Sequence, residues 1–368
     1  MFRRFDIVKK NLKVSVITVV RNGAQTIERT IQSVLKQKYN FIEYIIIDGN
    51  STDGTQTIIN KYIDRISYFV SEPDNGIYDG MNKGILKSTG DIIGFLNSDD
   101  WYEDDAICKI VDNFAPDVSV VSGQIKYIKN NRIEFETKAK SIECIWKEMP
   151  VMHPATFVRR ELFNKYGLFD TGYKIAADYD FLFKLYINKV KIISFNDSIV
   201  NFSEGGVSTS YLIKTIKESN SIREKYYNNI LCKEDIIKLN HIALETAYFN
   251  ELISKKPGIV KDYIRKKVGI NICVWGCGYV GEKIIDCLRD SSVNILCIFD
   301  NNPLLWEKSK WNLIIKNPDI LKKDKYIVLI AAFDSKDIEK QLTRYENTCL
   351  EWASITDIIN ELKIFLED

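Results

Sequence analysis

From residue 13 the chain alternates short β-branched apolar runs with longer segments whose apolar positions recur every three to four residues. The runs cover residues 14–20, 44–48, 67–71 and 91–97 and read as strands. Between them, residues 25–36, 55–63 and 78–88 read as amphipathic helices, the second opened by a Ser51-Thr52-Asp53-Gly54 turn suited to a helix start. This alternation predicts βαβ units around a mainly parallel sheet, and hence an α/β fold. After residue 100 the regularity breaks into a hairpin over 124–137, turning at Asn130 and Asn131, and helices over 159–166 and 177–188. Residues 211–267 are helical and Lys-rich. A second βα pattern starts at Asn271, with INICVWGCGYVGEKIIDCLRD followed by VNILCIFDNN, and continues to a strand over 326–331 and a final helix over 356–365. The pattern predicts a first α/β domain over 1–210, a connecting helical region over 211–267 and a smaller α/β domain over 268–368.

A length of 368 residues exceeds what one hydrophobic core usually supports, in keeping with two cores. With 45% apolar and 27% charged residues the chain has the composition of a folded globular protein. Its net charge of +1 supplies no field to gather nucleic acid, which sets that partner class aside. The eight cysteines form no CxxC pair, and two histidines leave no zinc spacing. The opening MFRRFDIVKKNLK is too polar for a signal peptide, and no run is apolar enough to span a membrane. These features predict a cytoplasmic protein with free thiols, for which the Lys-rich region offers a peripheral contact at the inner face of the membrane.

Candidate chemistry begins where the fourth run meets a cluster of acids, Asn97-Ser98-Asp99-Asp100-Trp101-Tyr102-Glu103. Ligands of open α/β sheets bind outside the carboxyl ends of strands, so Asp99 and Asp100 project where a ligand sits. Mg²⁺ and Mn²⁺ take oxygen ligands, commonly one or two carboxylates plus substrate phosphates. The same acids also suit a turn that caps the next helix, the role Glu103, Asp104 and Asp105 fill. Asp48 ends the second strand and Thr18 lies near the end of the first, so all converge on one sheet edge.

Four segments, VSVITVVRN, IIIDGNSTDGT, EPDNGIYDGMNKGI and FLNSDDWY, resemble in order and spacing the family 2 glycosyltransferases of GT-A fold, over residues 14–208. The resemblance implies an inverting transferase of bacterial surface-polysaccharide assembly, with a nucleotide-sugar donor, a UDP-sugar by preference, and a lipid-linked or oligosaccharide acceptor. It implies that Thr18, Asn22 and Asp48 contact the nucleotide, and that Asp99 and Asp100 form a DxD-type site for Mg²⁺ or Mn²⁺ on the donor diphosphate. Asn97 stands where that motif has its first acid. Met81 stands where many relatives carry an Arg, leaving Lys83 as its substitute, with Asp74 and Asn82 as further donor contacts and Asp79 as either a contact or a helix N-terminal charge.

In Ala176-Ala177-Asp178-Tyr179-Asp180, two acids open an amphipathic helix. The family's base lies in a Glu-Asp motif here, so Asp178 is implied as the base and Asp180 is the alternative; helix-capping acids are the non-catalytic reading. His153 and Trp101 are implied on the acceptor side, and the 204–208 loop, with its paired glycines, near the donor phosphates.

In the C-terminal part, Gly276, Gly278 and Gly281 follow a strand and open a helix, with Asp300 at the end of the next strand, which is the context of a dinucleotide fingerprint. The segment resembles Rossmann modules appended to polysaccharide-biosynthesis proteins. Two readings stand: NAD(P) or nucleotide binding, as in an oxidoreductase or sensor, and a docking or homo-oligomerising module. A sugar-nucleotidyltransferase would want a Gly-rich basic signature near the N-terminus, which residues 16–23 lack.

Overall fold

The computed structural model describes residues 12–130, 132–203, 211–226, 233–322, 326–333, 335–343 and 349–366. The chain divides into two compact units, residues 1–236 and 237–368.

The first unit is built on β1 (Val14–Val20), β2 (Ile42–Asp48), β3 (Tyr68–Ser71) and β4 (Ile92–Phe95), alternating with α1 (Ile27–Leu35), α2 (Thr55–Asn60) and α3 (Ile77–Lys87). All four strands are parallel, in the order β3-β2-β1-β4, as the alternation predicts. Period two sends Tyr44 and Ile46 of β2 to one face, against Ile27 and Ile31 of α1, and Ile45 and Ile47 to the other, against Tyr78 and Ile85 of α3. Helix α3 comes close to the sheet because Gly80 and Gly84 share one of its faces: a Cβ on either would lie 2.5 Å from a methyl carbon of Val19 or Ile17. That approach brings Tyr78 and Met81 to the carboxyl end of β1.

The sheet continues through β5 (Trp101–Tyr102), β6 (Val120–Lys129), β7 (Arg132–Glu136), β8 (Thr156–Arg159) and β9 (Ile192–Ser203) to nine strands. Helix α4 (Ala106–Asn113) packs beside β6, and α5 (Arg160–Tyr166) and α6 (Ala177–Ile187) follow β8. The hairpin forms as β6 and β7, with Asn130 at φ 49°. The twelve-residue β9 is not evident from the sequence pattern: it runs parallel to β6 through two register shifts and carries exposed Asn196 and Asp197 mid-strand. A further helix, α7 (Leu212–Tyr226), packs on α6 within this unit.

At the end of the sheet away from the carboxyl edge, Glu43 is 8% exposed and accepts from Lys13 Nζ (2.8 Å), Ser15 Oγ (2.6 Å), Thr89 N (2.7 Å) and Thr89 Oγ1 (2.6 Å). Burial pushes its pKa up, but these donors outweigh that and hold it at about 2, below the ordinary 4.5. The folded value is depressed, so the contribution is complete above pH 4.5 and is lost as pH falls towards 2. A depression of that size is worth on the order of 3 kcal/mol. Glu43→Ala is expected to cost about this much at pH 7 and to flatten the acid limb of stability measured by urea unfolding between those pH values.

Helix α8 (Lys233–Lys255) contains the boundary between units. The second unit holds α9 (Pro257–Tyr263), β10 (Asn271–Trp275), α10 (Tyr279–Leu288), β11 (Asn294–Phe299), β12 (Ser309–Lys310), β13 (Leu313–Lys316), β14 (Tyr326–Ile330), α11 (Lys336–Thr343), β15 (Cys349–Ser354) and α12 (Ile355–Leu362). Its sheet runs β12-β13-β11-β10-β14-β15 and is parallel except at β12. Among the described residues, no helix is long and apolar enough to cross a membrane.

Candidate active site

The carboxyl ends of β1 and β4, the loop before α3 and the N-terminus of α6 surround a cleft of about 530 Å³. Asn22, Asp74, Asp99, His153 and Asp178 line it, together with Arg21, Tyr78, Met81 and Lys174. The β1–α1 loop is tied to the β2–α2 loop: Asn22 N donates to Ser51 Oγ (2.7 Å), and Asn22 Oδ1 accepts from Thr52 N (2.9 Å).

The acid turn after β4 is held from beneath. Thr30 Oγ1 of α1 donates to the carbonyls of Ser98 and Asp100 (2.9 and 2.7 Å). Arg29 Nη2 and Ser203 Oγ both donate to the Asp99 carbonyl at 2.8 Å. Asp100 is fully buried and accepts from Ser203 N (2.9 Å) and Asn97 Nδ2 (3.2 Å), so it lies under the cleft while Asp99 lines it. Burial raises the pKa of Asp99; burial and then the Asp99 charge raise that of Asp100 well above the carboxylate range. Among the described residues, no three His, Cys, Asp or Glu side chains gather into a cation cage. Two crowded acids, one of them open to the cleft, instead suit a cation whose other ligands are substrate phosphates.

Asp178 sits in the first turn of α6. Its Oδ1 accepts from Tyr78 OH (2.8 Å) and Tyr179 N (3.0 Å). The residue before this helix, Ala176, has no side chain to cap it, and the cap comes from α7. Glu218 accepts from the backbone N–H of Lys174 (3.0 and 3.1 Å), Ile175 (2.8 Å) and Ala176 (3.0 Å). Asp180, two residues on, is fully buried and paired with Lys184 (3.0 Å) and Lys225 (2.7 Å), while Tyr226 OH donates to it at 3.0 Å. It does not line the cleft.

His153 stacks on Phe95 with ring centroids 5.3 Å apart, and its buried Nε2 has no hydrogen-bond partner among the described residues. Burial lowers its pKa against the pull of Asp178, so the imidazole is neutral at pH 7. Asp74 folds over the end of β2 because Gly49 leaves room: a Cβ there would lie 2.4 Å from Asp74 Oδ2. Gly49→Ala must swing that carboxylate aside.

The other residues singled out from the sequence lie elsewhere. Thr18 is fully buried with its hydroxyl 3.2 Å from Tyr44 OH, and Asp48 is fully buried, accepting from Ser51 N (3.0 Å), Ser51 Oγ and Ser71 Oγ (2.5 Å). Neither lines the cleft. Asn82 clamps the backbone of Phe169 through both amide atoms (2.9 and 3.0 Å), and Lys83 is engaged by Pro73 O and Glu72, each at 2.9 Å. Trp101 lies under the Arg29 guanidinium, 3.6 Å from its ring centre. The 204–208 loop lies outside the described residues. Arg21, Lys174, Arg29, Tyr78 and Glu218 also shape the cleft, and none of them stands out in the sequence as a site residue. Tyr78 stands inside one of the segments that carry the resemblance, whereas Glu218 leaves no local signal.

In the second unit, Gly276 takes φ 113° and donates its N–H to Phe299 O (2.8 Å), and a Cβ on Gly281 would lie 2.0 Å from Gly276 O. Gly278 caps α10. Asp300 is turned back onto this loop, accepting from Cys277 N (3.1 Å) and Cys277 Sγ (2.9 Å).

A sequence model described as "Glycosyl transferase family 2" matches residues 15–183. An uncharacterized glycosyltransferase of Mycobacterium tuberculosis (strain CDC 1551 / Oshkosh) is 32% identical over 177 residues, 46% of this chain and 68% of that one. A "PGL/p-HBAD biosynthesis glycosyltransferase" of Mycobacterium bovis (strain BCG / Pasteur 1173P2) is 27% identical over 209 residues, 54% of this chain and 80% of that one. Among solved structures, S. aureus TarS 1-349 in complex with UDP-GlcNAc superposes with a TM-score of 0.51 at 19% identity, covering 69% of this chain and 81% of that one. The mannosyltransferase PcManGT from Pyrobaculum calidifontis, in complex with GDP-Man and Mn2+, superposes with 0.50 at 19%, covering 66% and 76%. The chain spans 49% of the longer TarS structure. At these identities the structural likeness is one of fold.

Proposed function

The chain belongs to glycosyl transferase family 2, and from that premise we propose that it is an inverting enzyme moving a sugar from a UDP-sugar to a hydroxyl of a lipid-linked or oligosaccharide acceptor in surface-polysaccharide assembly. The observation that carries the reading is a single cleft lined by both Asp99 and Asp178. Inversion needs a base beside the acceptor hydroxyl and charge stabilisation beside the leaving diphosphate. Asp178 takes the acceptor proton. Asp99, with Asp100 beneath it, would hold Mg²⁺ or Mn²⁺ jointly with the donor phosphates, and the bound cation would offset charge developing on the diphosphate. With Met81 buried where a cation is usual, Arg21 and Lys174 are the cleft's basic groups for phosphate, and Asn22 and Asp74 are donor contacts. Neutral His153 orients the acceptor. A UDP-GlcNAc complex among the structures of like fold supports the donor class, and the Lys-rich 211–267 stretch gives an enzyme with a lipid-linked acceptor a contact with the anionic inner membrane face.

The second unit we read as a docking or oligomerising module, since the Asp300 carboxylate that would meet a ribose is occupied by Cys277.

The test is a panel of UDP-, GDP- and dTDP-sugars with Mn²⁺, read by thermal shift and by nucleotide release. A ligand at a hundredfold its Kd adds about 2.7 kcal/mol to the folded state. A UDP-sugar is expected to stabilise the protein and turn over. Stabilisation by none of the panel overturns the reading.

A further inference from the structure

Oδ1 of Asp178 is committed to two donors, Tyr78 OH at 2.8 Å and Tyr179 N at 3.0 Å, and among the described residues no donor is assigned to Oδ2. The tyrosine comes from α3, a hundred residues away in sequence. It is 6% exposed, and the Gly80 and Gly84 contacts seat its helix on β1. The same hydroxyl lies 2.6 Å from the carbonyl of Ile175, in the loop that Glu218 holds by three backbone N–H groups. A phenol has one proton and here meets two acceptors, one of them a charged carboxylate.

We propose that Tyr78 is the positioning residue of the base: its hydroxyl turns Asp178 so that Oδ2 alone is presented to the acceptor, and it gives its single proton to the carboxylate while that group is charged. Once Oδ2 has taken the acceptor's proton, Oδ1 becomes a neutral and weaker acceptor. The phenol proton then turns to Ile175 O, so no buried donor is stranded in either state of the cycle. The phenol remains protonated throughout, since burial, and then the charge of Asp178, push its own ionisation far above neutrality. This inference rests on Asp178 being the base.

Among the described residues, the titratable groups around Asp178 are Tyr78 of α3, neutral His153 ahead of β8, Lys174 of the preceding loop and Glu218 of α7. None of the others donates to its carboxylate, so removing the phenol isolates the effect. A hydrogen bond to a charged group is worth about 1.5–3 kcal/mol, and 1.36 kcal/mol corresponds to one pH unit. In the full-length enzyme, Tyr78→Phe is expected to move the acid limb of kcat/KM up by about one pH unit and to lower kcat, with donor KM within about twofold of wild type. Replacing Tyr78 by 3-fluorotyrosine, a stronger donor of unchanged shape, is expected to move the limb the other way. Glu218→Gln loosens the loop while leaving the phenol's hydrogen bond to Asp178 in place, and is expected to lower kcat with a smaller movement of the limb than Tyr78→Phe. An unmoved limb in Tyr78→Phe, or an equal shift in Glu218→Gln, overturns the inference. Asp178→Asn, measured alongside, separates the two levels: if that variant keeps full turnover, the base assignment itself is wrong.

Discussion

Asp178→Asn is expected to lower kcat about a thousandfold, the middle of the range for loss of a general base, while UDP binding and its thermal stabilisation persist. The amide can keep the hydrogen bonds that Oδ1 receives from Tyr78 and Tyr179, so the geometry of α6 survives and only the proton acceptor is lost. Asp180→Asn serves as the contrast. Asp180 is buried between Lys184 and Lys225, and breaking such a network costs about 3–5 kcal/mol of stability. That variant is therefore expected to melt earlier yet retain a near-normal kcat per folded molecule. Stopped assays for turnover with parallel melting curves distinguish the two; the reverse pattern would transfer the base role to Asp180.

Asp99→Asn is expected to reduce turnover by two to three orders of magnitude, the scale for losing charge stabilisation at a leaving group. Its effect on stability runs the other way. Burial, partial at Asp99 and full at Asp100, raises both pKa values, and Asp100 also feels the Asp99 charge, so the ionised pair opposes folding above those values. Neutralising Asp99 relieves this, and the variant without cation should melt at or above the wild-type temperature at pH 7. Cations bind the deprotonated acid, so the wild-type melting shift with Mn²⁺ is expected to be largest near neutrality and to shrink as pH falls into the range where the acids protonate. In Asp99→Asn the shift should be small at every pH. A full Mn²⁺ shift in that variant would remove Asp99 from the cation site.

Much of the first unit was legible because its chemistry is local. Strands β1, β2 and β4 are buried on both faces and therefore read as apolar runs rich in Val and Ile, and the acid turn and the start of α6 follow from residues adjacent in sequence. What escaped was set by partners far along the chain. Thr18 and Asp48 stand at strand ends, and the sequence does not show that each is buried against a hydroxyl from another strand. Strand β9 was hidden by Asn196 and Asp197, polar residues that it tolerates because that stretch is exposed. The Arg29 contact with Trp101 joins a helix to a strand seventy residues later, and no periodicity signals it.

The trans cap supplied by Glu218 has a consequence for how the enzyme comes into being. The family match ends at residue 183, with both wall carboxylates already encoded. The three amides ahead of α6 gain their acceptor only when residue 218 arrives. During synthesis, which proceeds from the N-terminus at about 5–20 residues per second, the sheet and the acid turn can form while the base still lacks its anchor. Competence would thus switch on late, when α7 leaves the ribosome and docks.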